Sequence, residues 1–292
     1  MKNLNNKIFI HVGAPKSAST YLQYYFHNNK NINFLGIIRD HENRGSKPKY
    51  EDNFHLYCRH IKNSYHDAKK IKEKVSKKKI NLISDEGFIV SEYTNFTKII
   101  QRIIRIFPTC EFILVLRDPI QTILSWQDFH IRGIENTPLS IKSYLRTKNS
   151  KNVIDLINYK KRINYFRKLK KNKLHIINYN VIKQNDTQKI FGKIFANKNT
   201  YKIDNTNLRK QNASIYFVKN LYIKMPFLKK IKFILPRFII TFIKNLLYKL
   251  NIISKFNRKT DEAEIKYLNK LFSKEITYYK SLFKSKDYFT IN

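Results

Sequence analysis

Short unbroken apolar runs alternate along this chain with longer stretches in which apolar residues recur every three or four positions. The first run, Ile8 to Val12, is interrupted only by His11 and leads into the small residues Gly13 to Ala18. Leu22, Tyr25 and Phe26 then fall at the i, i+3, i+4 spacing of one helical face. This pattern predicts a buried strand, a tight loop and a helix beginning near Ser19. Ile32 to Gly36 predicts a short second strand, and the polar stretch from Arg39 to Tyr50, with Gly45 and Pro48, a loop over one edge. Phe54 to Val75 reads as helical, ending in Lys77, Lys78 and Lys79.

A third strand is expected over Ile80 to Ser84, closed by Asp85, Glu86 and Gly87. Phe96, Ile99, Ile100, Ile103 and Ile104 mark the apolar side of a helix from Asn95 to Phe107, which Pro108 stops. Glu111 to Leu116 is a continuous run of the kind buried on both faces of a parallel sheet. After it, Asp118 suits a helix cap and Pro119 a first helical turn, with the helix continuing to about His130. Beyond a loop holding Gly133 and Pro138, a long helix is expected over Val153 to Leu169. A fifth strand over Leu174 to Tyr179 and a helix over Thr187 to Phe195 follow. Strands alternating with helices predict an α/β fold, a parallel sheet covered on both sides. The tail differs: no Asp or Glu occurs between Asp204 and Asp261, and Phe217 to Leu250 mixes Lys and Arg with Phe, Ile and Leu. A last amphipathic helix is expected over Asp261 to Phe283.

Composition narrows the class. The 292 residues, 42% hydrophobic and 14% aromatic, suffice for one large core and speak against global disorder. Lys and Arg number 58 against 21 acidic residues, a formal charge of +37 that points to polyanionic ligands, anionic lipid or nucleic acid. Cys58 and Cys110 have neither a disulfide framework's number nor a metal site's spacing, and fit reduced thiols in the cytoplasm. The first apolar run is too short for a signal peptide and is followed by Pro15 and Lys16 instead of a cleavage site. No segment reads as a clean transmembrane helix.

The chemistry gathers on one rim. A strand that enters a small-residue loop and then a helix N-terminus can bind a phosphate through unpaired N–H groups and the helix dipole. Lys16 adds a mobile charge to that loop, and Ser17, Ser19 and Thr20 add hydroxyls that serve equally as caps or as anion donors. It is a variant loop, lacking the second Gly and the terminal Lys position of the nucleoside-triphosphatase pattern. In a parallel sheet the C-terminal strand ends face the ligand, and here they carry Lys16, Glu86 and Arg117. Ser125, seven residues after Asp118, returns to the face of the cap and can share one phosphate with Arg117.

These residues resemble those of sulfotransferases that use 3′-phosphoadenosine 5′-phosphosulfate (PAPS), most of all the bacterial polysaccharide type. The family's 5′-phosphosulfate loop is matched by Pro15-Lys16-Ser17-Ala18-Ser19-Thr20, with Ala18 where Gly is usual. Its 3′-phosphate motif is matched by the strand ending at Leu116, then Arg117-Asp118-Pro119 and Ser125. Arg209 and Lys210, leading to Asn212 and Ser214, resemble a weaker third element near the nucleotide. The acidic residues common after the family's fifth strand are missing from Tyr179 to Ile182.

The resemblance implies a P-loop-like three-layer fold with a parallel sheet of about five strands and helices on both faces. It places a PAPS-binding core in residues 1–204 and a basic helical C-terminal extension in 205–292, packed on the same domain. It implies direct in-line sulfuryl transfer from PAPS to a hydroxyl of a glycan or glycolipid, without a metal. Lys16 would stabilise the leaving phosphate and Glu86 act as general base, with Asp85, His41 and Glu42 as alternatives. Trp126 fits the core better than an adenine platform, and Asp118 a cap better than a ligand. The protein is expected in the cytoplasm, with peripheral contact to anionic membrane and no specific nucleic acid. Two rivals are a small-molecule kinase, which needs a full phosphate loop and magnesium, and a basic protein that binds membrane or nucleic acid without catalysis.

Overall fold

The computed structural model describes residues 7–36, 53–59, 64–89, 95–133, 138, 140–184, 186–195 and 261–291. Its centre is a six-stranded sheet in the order β2-β3-β1-β4-β5-β6, made of Ile32–Phe34, Ile80–Ser84, Ile8–His11, Glu111–Leu116, Leu174–Asn178 and Tyr288–Ile291. The first five strands run parallel, with Phe9 beside Leu82 on one side and Glu111 on the other. The sixth strand was not expected. It pairs antiparallel with β5, Ile177 against Tyr288 and Leu174 against Ile291, so the C-terminal end completes the sheet. Sequence pattern alone does not reveal it, because Tyr288–Ile291 is a short, half-exposed edge strand with little alternation to read.

Alternation along each buried strand sorts side chains onto the two faces. Ile8 and Ile10 join Phe112, Leu114 and Leu116 on one face, packed against α2 (Asn53–Arg59), α4 (Phe96–Ile106) and α8 (Tyr159–Arg167). Phe9, Ile113 and Val115 point to the other, where α1 (Ser19–His27), α9 (Tyr179–Lys183) and α10 (Thr187–Ile194) cover them with Leu22, Phe26, Val181 and Phe191. The helices on both faces are thus as expected. A third cluster joins α5 (Pro119–Gly133), α6 (Ile141–Tyr144), α7 (Lys148–Ile157), α11 (Glu262–Leu271) and α12 (Ser273–Leu282) around Ile123, Tyr144 and Leu268.

Some expected helices are shorter than their apolar patterns suggest. Between Phe54 and Val75 lie α2, then α3 (Tyr65–Lys69) and a 3₁₀ segment over Lys70–Lys74. The long helix expected over Val153 to Leu169 is split into α7 and α8 at Asn158, whose side chain accepts the Lys161 N–H at 3.1 Å and starts the second helix. The last helix is likewise two, α11 and α12, meeting at Phe272. Among the described residues no helix is long and apolar enough to cross a membrane. The basic stretch Phe217 to Leu250 lies outside the described residues.

Candidate active site

The chain leaving β1 stays on the flank of β4 as it turns. Val12 N–H donates to the Ile113 carbonyl (3.0 Å), Val115 N–H to Gly13 (2.7 Å), and Ala14 N–H to Val115 (3.0 Å). Held in this way, the loop puts Lys16 (φ 66°) and Ala18 (φ 61°) in the left-handed region. Each such residue costs about 1–2 kcal/mol when it carries a Cβ. Ala18 is the N-cap of α1 and makes no side-chain cap hydrogen bond. The Ala18 side chain therefore does not occupy the N–H groups that open the helix. The Ser17 hydroxyl is buried, at 1% exposure, and has no partner. A buried hydroxyl beside an uncapped helix start has the donor set for an anion.

Arg117 follows the last residue of β4 and reaches back across the rim. Its Nη1 donates to the Lys16 carbonyl at 2.9 Å, and its guanidinium lies 4.9 Å from the centre of the Tyr179 ring. Its Nε is buried without a partner. The Arg117 carbonyl accepts from the Tyr159 hydroxyl at 2.6 Å, which anchors the strand end from α8. Asp118 caps α5 as expected, accepting the Gln121 N–H at 3.0 Å. Ser125 stands on α5, partly buried. The Lys16 ammonium lies over α5, 3.8 Å from the Phe129 ring centre and 5.6 Å from Trp126. Trp126 is partly buried and packs against two of the hydrophobic clusters.

Glu86 opens a 3₁₀ turn directly after β3 and accepts the hydroxyl hydrogen of Ser19, in the first turn of α1. The third strand tip therefore touches the same helix start as the loop. Its neighbour Asp85 has a different task. Asp85 is 1% exposed; it accepts the Gly87 N–H at 2.8 Å and faces His55 Nδ1 at 3.3 Å and Arg59 Nε at 3.4 Å. Burial pushes its carboxyl up, but the bonds and charges of His55, Arg59 and Gly87 outweigh that and hold it below the ordinary carboxylate value. An acid so fully engaged is a poor proton acceptor and a good anchor for the turn carrying Glu86. His55 and Arg59 were missed by sequence reasoning. The available signal was their i, i+4 spacing on α2, which puts both on one helical face.

His11, at the tip of β1, is fully buried with Nδ1 2.7 Å from the Ser84 hydroxyl. Burial lowers its pKa to about 4 against the opposing pull of Asp85, so the ring is neutral near pH 7. Pro15 and Ser19 are buried, while Lys16, Ala18 and Thr20 are partly exposed. The structure thus gathers the loop, Arg117 and Glu86 at neighbouring strand ends, with Ser125 on the helix that follows Arg117. Arg209, Lys210, His41 and Glu42 lie outside the described residues. Among the described residues, no group of three or more His, Cys, Asp or Glu side chains is placed to hold a metal ion.

The site and the sheet define a mixed α/β protein with a small-residue loop and a helix start at the β1 tip. No protein-family model matches the chain, and no curated protein matches it. Among solved structures, the crystal structure of a sulfotransferase from Alicyclobacillus acidocaldarius aligns with 74% of this chain and 91% of its own. Identity is 13% and the TM-score 0.46, a likeness too loose to carry anything about activity.

Proposed function

We propose that the protein is a PAPS-dependent sulfotransferase that moves a sulfuryl group to a hydroxyl of a glycan or glycolipid by direct in-line transfer. The observation that carries this reading is the hydrogen bond from Arg117 to the Lys16 carbonyl, which joins the two phosphate motifs at adjacent strand tips. PAPS is anionic at both ends of one adenosine, so its sites must be neighbours. The loop residues Pro15 to Thr20 and the start of α1 suit the 5′-phosphosulfate; Arg117 and Ser125 suit the 3′-phosphate. The orphaned Ser17 hydroxyl and Arg117 Nε are donors that such anions would satisfy.

On this reading the acceptor oxygen attacks sulfur as the sulfur–oxygen bond to the 5′-phosphate breaks. Glu86 takes the acceptor's proton, and Lys16 neutralises the charge gathering on the departing phosphate. The Ser19 hydroxyl bond orients Glu86 for that role. Asp85, tied to His55 and Arg59, keeps the turn in place.

Calorimetric titration with 3′-phosphoadenosine 5′-phosphate (PAP) tests the reading. The native protein is expected to bind it, and Arg117→Ala to weaken binding about a hundredfold while the fold survives. Sulfuryl transfer from PAPS should persist in excess chelator. Absence of PAP binding would sink the proposal, and so would magnesium-dependent turnover of ATP, which marks a kinase. Salt-sensitive binding to every polyanion, indifferent to Arg117→Ala, would indicate a basic binding protein instead.

A further inference from the structure

A groove outside the anion loop offers a second place for a ligand. It has a volume of about 590 Å³ and runs between the start of α4, α7 and the outer side of α8. That is within the ~300–1,000 Å³ usual for small-ligand sites. Ile89, which follows the Glu86 turn, forms part of its wall. The same residue packs against the loop: a Cβ placed on Gly13 would come within 3.3 Å of Ile89 Cγ2. Groove and loop therefore share a wall.

Its lining is mixed in chemistry. Phe96 and Tyr165 contribute rings 5.6 Å apart, and the Tyr165 hydroxyl is fixed on the Thr97 carbonyl at 3.2 Å. Asn95, Asn152 and Asn164 add planar amides. Aromatic faces with amide donors and acceptors suit a sugar ring, which has apolar C–H faces and a belt of hydroxyls. The charge balance adds a preference. Lys161, Arg162 and Lys168 line the groove together with one carboxylate, Asp155, which is already bonded to Lys161 at 3.0 Å and to Arg162 at 2.9 Å. Arg162 Nε is buried at this wall without a partner, on a side chain only 3% exposed. Three cations against one acid leave an excess that favours an anionic ligand.

We infer that this groove is a saccharide subsite that holds an anionic stretch of the acceptor, of the uronic-acid class, while a neighbouring hydroxyl reaches the transfer site. The subsite's role in transfer rests on the sulfotransferase reading; its binding of an acidic saccharide does not. Such a subsite draws acidic chains from solution by charge, then selects saccharide over other polyanions through the amides and rings.

Fluorescence anisotropy with a labelled pentamer of galacturonic acid, at about 0.15 M salt, tests this. The native protein is expected to bind it, and neutral maltopentaose to compete poorly. Lys168→Glu should weaken binding about tenfold and Asn164→Ala by a smaller factor. Lys72→Glu, the same charge change on an exposed residue elsewhere, should alter it by no more than about twofold. PAP affinity should be unchanged in Lys168→Glu. Equal losses in Lys72→Glu and Lys168→Glu would overturn the proposal by showing diffuse attraction. Equal competition by an oligothymidylate of matched charge would do the same. Galacturonate binding that depends on Lys168, in a protein that ignores PAP, would support the subsite and sink the transferase reading separately.

Discussion

The two ends of β4 are built from similar residue types and treated in opposite ways. At the N-terminal end, Glu111 accepts from Lys7 at 2.6 Å and contacts His175 Nε2 at 2.7 Å. His175 Nδ1 in turn meets the Tyr288 hydroxyl at 2.9 Å and Thr290 at 3.1 Å. Asn172 closes the strand start with a bond to the Cys110 carbonyl at 2.9 Å. At the C-terminal end, Arg117 and the loop beside it keep a buried guanidinium nitrogen and a buried hydroxyl unpartnered, next to two left-handed residues that are not glycine. Unmet donors and strained backbone lower stability, and proteins keep them where a ligand repays the cost. One end of the strand is closed by mutual bonds; the other leaves buried donors unmet.

Substitutions can break this contrast at either end, and pH at the strand beside it. The largest effect expected, after the loss of PAP binding in Arg117→Ala, belongs to His11. Its folded pKa of about 4 lies below the ordinary histidine value of 6.5. Between those values the unfolded chain binds the extra proton. Its contribution is whole above pH 6.5 and falls away as pH drops towards 4, a loss of about 3 kcal/mol. Urea midpoints measured from pH 7 down to 4 should decline accordingly, and His11→Asn should flatten the slope. An unchanged slope in the variant would refute neutral burial.

Glu111 comes next and titrates in a separate window. Burial raises its carboxyl, but the bonds from His175 and Lys7 overcome this and bring it down to about 2. Its contribution is therefore present above 4.5 and lost as pH falls from there towards 2. Glu111→Gln should cost about 2 kcal/mol in urea unfolding and leave PAP affinity untouched. Altered PAP binding in that variant would erase the distinction between the two ends. The smallest effect is expected of Ala18→Gly. Relief of the left-handed Cβ, less the added chain entropy, should raise stability by about 0.5–1 kcal/mol. A loss of stability would mean that the Ala18 methyl packs usefully against the loop.

Much of this molecule is readable from local order. The run Glu111 to Leu116 announces a central strand because burial on both faces leaves no polar position to interrupt it. The loop and α1 are readable for a related reason: small residues, then Leu22, Tyr25 and Phe26 at helical spacing. At Ala18, where the resemblance expects Gly, the backbone is left-handed, with a φ of 61°. The break at Asn158 was hidden, since apolar spacing continues on both sides and the cap is a single side chain. The engagement of Asp85 was hidden too. Its partners His55 and Arg59 are some thirty residues away in the chain, joined to it only once α2 packs over β3.

The sequence by itself determined the five parallel strands, which of their ends carry charge, and that Lys16 sits in a loop ahead of a helix. These are local matters of periodicity and backbone preference, settled within a dozen residues. Only the tertiary structure decided that Arg117 grips the Lys16 carbonyl, that Glu86 meets Ser19, and that the C-terminal end supplies a sixth strand. Those contacts join residues far apart in the chain, and their partners are chosen by how sheet and helices pack. No local pattern encodes that choice.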